Sequence, residues 1–291
     1  MTVVTNPTNT VYDAVFQPIK RTINDSESEA SKVAAIHTLA TVTFYGGASL
    51  DETQNTVEYY LEIIESDGHS IGAGDSEAVV TAALEEWGFL ATQLEDMEDL
   101  SEPAMEAFVE QLDSSYPRVQ IAAGENIALL YEKSYTELEE DEEAESDDDG
   151  AESDPEDERL PGAPKMVKRY TVYRREDQLK HKLSALATLS SHRLSKKDKK
   201  SLHTNFADIL NSVENPTRGP RYQNAVSQET GKRYGNRMAV RIHRTGIMKI
   251  DQWWKLHRLQ ALRRILQGGF ISHYEKNEVI FDSLPYVLAT R

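Results

Sequence analysis

The sequence predicts a mainly α-helical protein: a solenoid of paired helices, then a small helical domain with a short β-hairpin. Three observations carry this reading. Apolar residues recur at helical spacing in successive segments between residues 31 and 133. Alanine pairs at Ala34-Ala35, Ala82-Ala83 and Ala122-Ala123 each precede a bulky apolar residue: Leu39, Trp87 and Ile127. From Arg237 to His243 the period changes to strict alternation, the mark of a half-buried strand.

Taken in order, residues 1–30 read as polar and turn-rich. A helix follows at 31–47, capped by Ser31 and stopped by Gly46-Gly47. Another spans 54–65, with Val57, Tyr60, Leu61 and Ile64 on one face, and a third spans 76–94. Ser101 is placed to cap a fourth, with Pro103 in its first turn, and Pro117 opens a fifth that reaches residue 133. The alanine pairs are 48 and 40 residues apart, around the period of armadillo and HEAT repeats. Small alanines let neighbouring helices approach, and the bulky residues fill the space between layers. Residues 1–136 are therefore expected to be an armadillo-like array, entered partway through a repeat. An ordinary helical bundle is the alternative.

Residues 137–158 hold 15 acidic residues in 22, and such a run repels itself. Residues 137–165 read as a disordered acidic linker. Within it Ser146 and Ser153 each have an acidic residue three positions on, the spacing acid-directed kinases use. Residues 166–291 form the basic C-terminal domain. Leu179, Leu183, Leu186 and Leu189 mark a helix over 176–192, and Ser195 caps another over 196–213. Then comes the hairpin, with Met238, Val240 and Ile242 on one side and cations on the other. Asp251 is placed to cap a helix over 252–267, which Gly268-Gly269 ends, and the closing residues read as one more short helix.

The net charge of −17 conceals a division. Residues 1–160 carry 6 Lys/Arg and 39 Asp/Glu, whereas residues 161–291 carry 26 Lys/Arg and 10 Asp/Glu. Either the two halves neutralise each other within one molecule, or the second half meets a polyanion. The candidate binding residues are the hairpin cations Arg237, Arg241, Arg244 and Lys249, and the polar arc of the last long helix. On a 100° wheel that arc carries Trp253, His257, Arg263 and Arg264, opposite Trp254, Leu259 and Leu262. Lys196, Lys197, Lys199 and Lys200 join them, because cations are disfavoured at a helix N-terminus and so suggest another use there. Arginine with an exposed indole suits phosphate contact and base stacking. The acidic run is also expected to fold back on this half and compete with nucleic acid.

Cysteine is absent, which excludes disulfides and thiolate chemistry, and no motif points to a cofactor, a metal or a small-molecule substrate. No HExxH, nucleophile elbow or Walker loop is present, so the chain reads as non-enzymatic. The apolar runs are far shorter than a membrane span, and the N-terminus lacks a secretory layout.

Several residues carry a family likeness. Ile250-Asp251-x-Trp253, Leu266-x-Gly268, His273 and Asn277-Glu278 resemble the C-terminal domain of interferon-related developmental regulator proteins. Ala123-Gly124-Glu125 and the run Ala128 to Glu132 are similar to the armadillo-like domain of the same family. The resemblance implies a regulator that acts by binding, described in the family both as a transcriptional co-regulator and as an occupant of non-translating ribosomes. It implies a ribosome or ribosomal RNA as partner of the basic half, with protein partners on the solenoid surface, and a cytoplasmic or nuclear location. It also implies a fuller repeat array upstream and a basic tail beyond the C-terminal domain, which this sequence lacks.

Overall fold

The computed structural model describes residues 10–138, 165–188, 195–226, 228, 231, 235–242 and 246–285. The acidic run from 139 onward, with Ser146 and Ser153, lies outside the described residues, as do Leu189, His243 and Arg244.

The helices come in pairs: α1 (Thr10–Asp25) with α2 (Glu29–Tyr45), α3 (Leu50–Glu65) with α4 (Glu77–Ala91), α5 (Glu98–Gln111) with α6 (Pro117–Lys133), and α7 (Glu176–Thr188) with α8 (Lys196–Glu214). Partners pack on each other, and α2, α4, α6 and α8 stack one on the next as a single layer. This is a mainly α helical-repeat fold, as the alanine pairs predicted. Those pairs fall on α2, α4 and α6, and Leu39, Trp87 and Ile127 are wholly buried between layers.

Several helix starts differ from expectation, and each difference has a local cause. Residues 10–25 are helical, not turn-rich: Tyr12, Phe16, Ile19 and Ile23 make an i, i+4, i+7, i+11 stripe, and Tyr12 and Ile23 are buried. Helix α2 begins three residues early because Ser28, not Ser31, is the cap and accepts from the Ser31 amide. Helix α3 begins at Leu50 on a reciprocal capping box between Ser49 and Glu52. Helix α5 begins at Glu98, so Ser101 caps nothing. It is buried, and its hydroxyl donates to the Met97 carbonyl at 2.6 Å.

The chain leaves α6 through β1 (Tyr135–Glu137) and re-enters through β2 (Met166–Lys168), paired antiparallel with Glu137 opposite Met166. The two ends of the acidic segment are thus joined at their base. Helix α8 then stacks on α6 and α7 packs on α8, so helical pairing continues beyond residue 136. A second antiparallel hairpin, β3 (Ala239–Arg241) and β4 (Ile247–Lys249), has Val240 opposite Met248. Helices α9 (Trp253–Leu266), α10 (Phe270–Lys276) and α11 (Glu278–Ser283) follow. Helix α9 lies across α4 and α6. One continuous core takes in Ile36, Trp87, Ile127, Phe206, Leu259 and Ile280, so the acidic and basic halves fold as one body. No helix among the described residues is long and apolar enough to cross a membrane.

Candidate nucleic-acid interface

Helix α9 is fastened to the stack at four places along its length. At its start the Glu132 carboxylate, on α6, accepts from the backbone amides of Trp253 at 2.6 Å and Trp254 at 3.0 Å. Those are two of the unpaired donors at a helix N-terminus, and the negative charge suits the dipole there. The expected cap, Asp251, pairs instead with Lys255 at 2.6 Å. Burial pushes Glu132 up to about 7, against the pull of the two amide bonds.

One turn on, His257 occupies a notch made by Gly88 of α4. A Cβ at Gly88 would come within 2.4 Å of the imidazole and 2.2 Å of the Asn126 side-chain oxygen. His257 is 3% exposed, burial pushes it down to about 4, and the neutral ring's Nε2–H donates to the Glu125 carbonyl at 3.3 Å. Arg258 donates to the Thr92 hydroxyl and carbonyl and to the Ser283 carbonyl, all at 2.9 Å. Its guanidinium also lies over the rings of Phe44 and Trp254. Finally Arg264 pairs with Glu86 at 2.8 Å and with Glu85 at 3.3 Å. Glu86 is nearly buried and also meets His37 Nδ1 at 2.6 Å.

These contacts correct the expected orientation of the helix. Trp253 is 2% exposed, and its indole N–H donates to the Ser212 hydroxyl at 2.8 Å, so it is unavailable for base stacking in this conformation. His257 is buried and Arg264 is neutralised. Trp254, expected in the core, is half-exposed instead. The polar arc was aimed at water on the assumption that polar means outward. Here the acidic half supplies Glu85, Glu86, Glu125 and Glu132 as partners, so part of the opposite charge of the two halves is neutralised internally. Arg175, just before α7, pairs with Glu106 of α5, and Lys182 of α7 pairs with Asp113, just after α5, which adds to this.

Other cations stay open. Lys196, Lys197 and Lys200 are exposed and Lys199 half-exposed on the first turns of α8. Ser195 caps that helix, accepting from the Asp198 amide at 3.1 Å and donating to its carboxylate at 2.6 Å. Arg263 is exposed. It shares a groove of about 560 Å³ with Arg118 and Glu125 of α6, Thr81 and Glu85 of α4, and Ser201 and Asn205 of α8. Lys197 precedes Ser201 by one turn on the same face of α8. The groove therefore joins two clusters that lie far apart in sequence. Arg118 was missed, because a lone arginine in an acidic half gave no signal.

On the second hairpin Arg237, Arg241 and Lys249 are exposed while Met248 and Ile242 turn inward, as the alternation predicted. These cations adjoin the start of α9. The 14-residue helix puts them about 20 Å from the Arg263 end.

Fold and site together define a helical-repeat protein whose own helix is seated across the layer of α4 and α6, with a cationic groove beside it. Comparison with known families gives this class a name. The model of the interferon-related developmental regulator family matches residues 1–214, and the chain belongs to that family. The match ends at the last residue of α8, where the stack of helical pairs ends. An uncharacterized protein of Schizosaccharomyces pombe is 30% identical over 267 residues, covering 90% of this chain and 52% of that protein. The chain thus spans about half the length of that curated relative.

Proposed function

We propose that this protein is a non-enzymatic regulator that binds RNA, with the ribosome as the target, and restrains translation from there. The observation that carries the reading is the groove between α8 and α9. Arg118 and Arg263 line it, and Lys196, Lys197 and Lys200 stand exposed on the adjoining turns of α8. Cations on α6 and α9 that line one concavity, with the α8 lysines beside it, suit a phosphate backbone better than scattered solubilising charge does. Arg237, Arg241 and Lys249 on the second hairpin extend the cationic surface. In this reading Trp253, His257 and Arg264 position α9 and do not touch RNA. Helix α9 packs across α4 and α6, so that part of the repeat surface is closed to a protein partner, and this favours the RNA reading. Cytoplasm is the expected location, with the nucleus as the alternative.

Co-sedimentation with purified ribosomes tests it. The protein is expected to pellet with ribosomes at low salt and to be released as salt rises, and failure to pellet at low salt would remove the proposal.

A further inference from the structure

Resting on the RNA reading above, we infer that the groove between α4, α6, α8 and α9 takes one unstacked nucleotide of a single strand, its phosphate at the rim and a guanine edge on the floor.

The argument is the order of charge across the groove. Arg118 and Arg263 stand exposed at the rim, and no ion pair or hydrogen bond joins either guanidinium to another described residue. Less exposed than these are two carboxylates, Glu85 and Glu125, which line the same groove together with Arg264 and Gln260. Glu125 accepts from the Gln260 amide at 3.2 Å, and Glu85 is held through one oxygen only, by Arg264 at 3.3 Å. Thr81, 3% exposed, also lines the groove, and its hydroxyl oxygen has no partner among the described residues. The site thus offers cations outside and acceptors inside. A nucleotide carries the matching pattern, an anionic phosphate at one end and a planar edge of N–H groups at the other.

Among the bases, guanine presents two adjacent donors, N1–H and the N2 amino group, which one carboxylate can accept together. Uracil presents a single N–H between two carbonyls, which a carboxylate repels. Adenine and cytosine present an amino group beside an acceptor nitrogen. A groove of about 560 Å³ falls within the range of roughly 300–1,000 Å³ usual for small-ligand sites. Unstacked bases read along their Watson–Crick edge are the usual target of sequence-selective RNA binders, and a guanidinium plane can stack on them.

The experiment is fluorescence anisotropy of the whole chain with labelled octauridine and with the same oligomer carrying one central guanosine, and with GMP as competitor. The guanosine oligomer is expected to bind about tenfold tighter, the size of one good charged hydrogen-bond pair. Glu85→Gln should abolish the preference by weakening the guanosine oligomer, while octauridine binds no more weakly than before, since a carboxylate has left a groove that takes an anion and Arg264 keeps Glu86. Arg263→Ala should weaken both oligomers alike. Asn205→Ala, on the α8 wall, should reduce the preference without touching α9, which covers the case in which Glu85→Gln fails to fold. Equal affinity for the two oligomers, or a preference that survives Glu85→Gln, overturns the inference. GMP binding as tight as the oligomer also overturns it, since the occupant would then be a free nucleotide. If neither oligomer binds but ribosomes still pellet the protein, this inference fails alone. If ribosomes do not pellet it either, the RNA reading fails with it.

Discussion

Two contacts in this molecule are built on a glycine, and they differ in chemistry. Gly124 on α6 faces Ile209 and Phe206 of α8, and a Cβ there would meet Ile209 Cδ1 at 2.6 Å. Gly88 on α4 faces His257 of α9 and the amide of Asn126, both within 2.5 Å of a Cβ placed there. The first contact is an apolar helix pairing inside the repeat stack. The second is a polar seat, with Arg264 on Glu86 at one end and Glu132 under Trp253 at the other. Apolar packing joins the repeats, whereas paired charges and helix capping set the place of α9. Such a seat specifies position more than it adds stability, because buried ion pairs gain little over apolar contacts yet are costly to break.

The largest expected effect is on the polar seat. Trp253→Ala removes a buried indole and the hydrogen bond it donates to Ser212, and a loss of about 3–5 kcal/mol is expected, read by chemical denaturation. Loss below about 1 kcal/mol would mean that the side chain is exposed in solution and would return it to the RNA surface.

Next, the two glycines are expected to separate. Gly88→Ala meets an imidazole and an amide held by neighbours, and should cost about 1–3 kcal/mol. Gly124→Ala meets the flexible end of Ile209 and should cost less, below about 1.5 kcal/mol. Equal losses would erase the distinction between the two contacts.

A smaller effect concerns pH. The Glu132 carboxyl is raised from its ordinary 4.5 to about 7 by burial, so its contribution is whole below 4.5 and is lost as pH climbs through 7. His257 is lowered from 6.5 to about 4, so its contribution is whole above 6.5 and is lost as pH falls toward 4. The two oppose each other across this window. Glu132→Gln removes the first and leaves the second. The variant should therefore lose more stability than wild type between pH 7.5 and 5, by on the order of 1 kcal/mol. Parallel pH profiles would show that Glu132 is not buried against α9.

The comparison also explains what could be read in advance. The apolar face of α8 was legible because Leu202, Phe206 and Ile209 keep a helical period, and all three are buried, but its contact with α6 was not, because that period does not say which helix the face meets. The second hairpin was legible because Met238, Val240 and Ile242 alternate with cations, and the lysines at the start of α8 do lie open. Helix α1 was missed because polar residues and Pro18 obscured a valid apolar stripe. The arc of Trp253, His257 and Arg264 was misread because its partners, Glu85, Glu86, Glu125 and Glu132, lie more than 120 residues earlier, and a helical wheel contains no distant carboxylates. The groove was half legible: the α8 lysines and Arg263 were found, but their convergence with Arg118 needs the stack.

The most direct test of the whole account is the salt dependence of binding to a single-stranded RNA, for wild type and for a variant with Lys196, Lys197, Lys199 and Lys200 all replaced by alanine. If these open cations displace counterions from phosphates, the slope of log K against log salt should shrink by about 3, near 0.7 for each of the four charges. An unchanged slope would contradict the account, because the charges that meet RNA would then lie elsewhere.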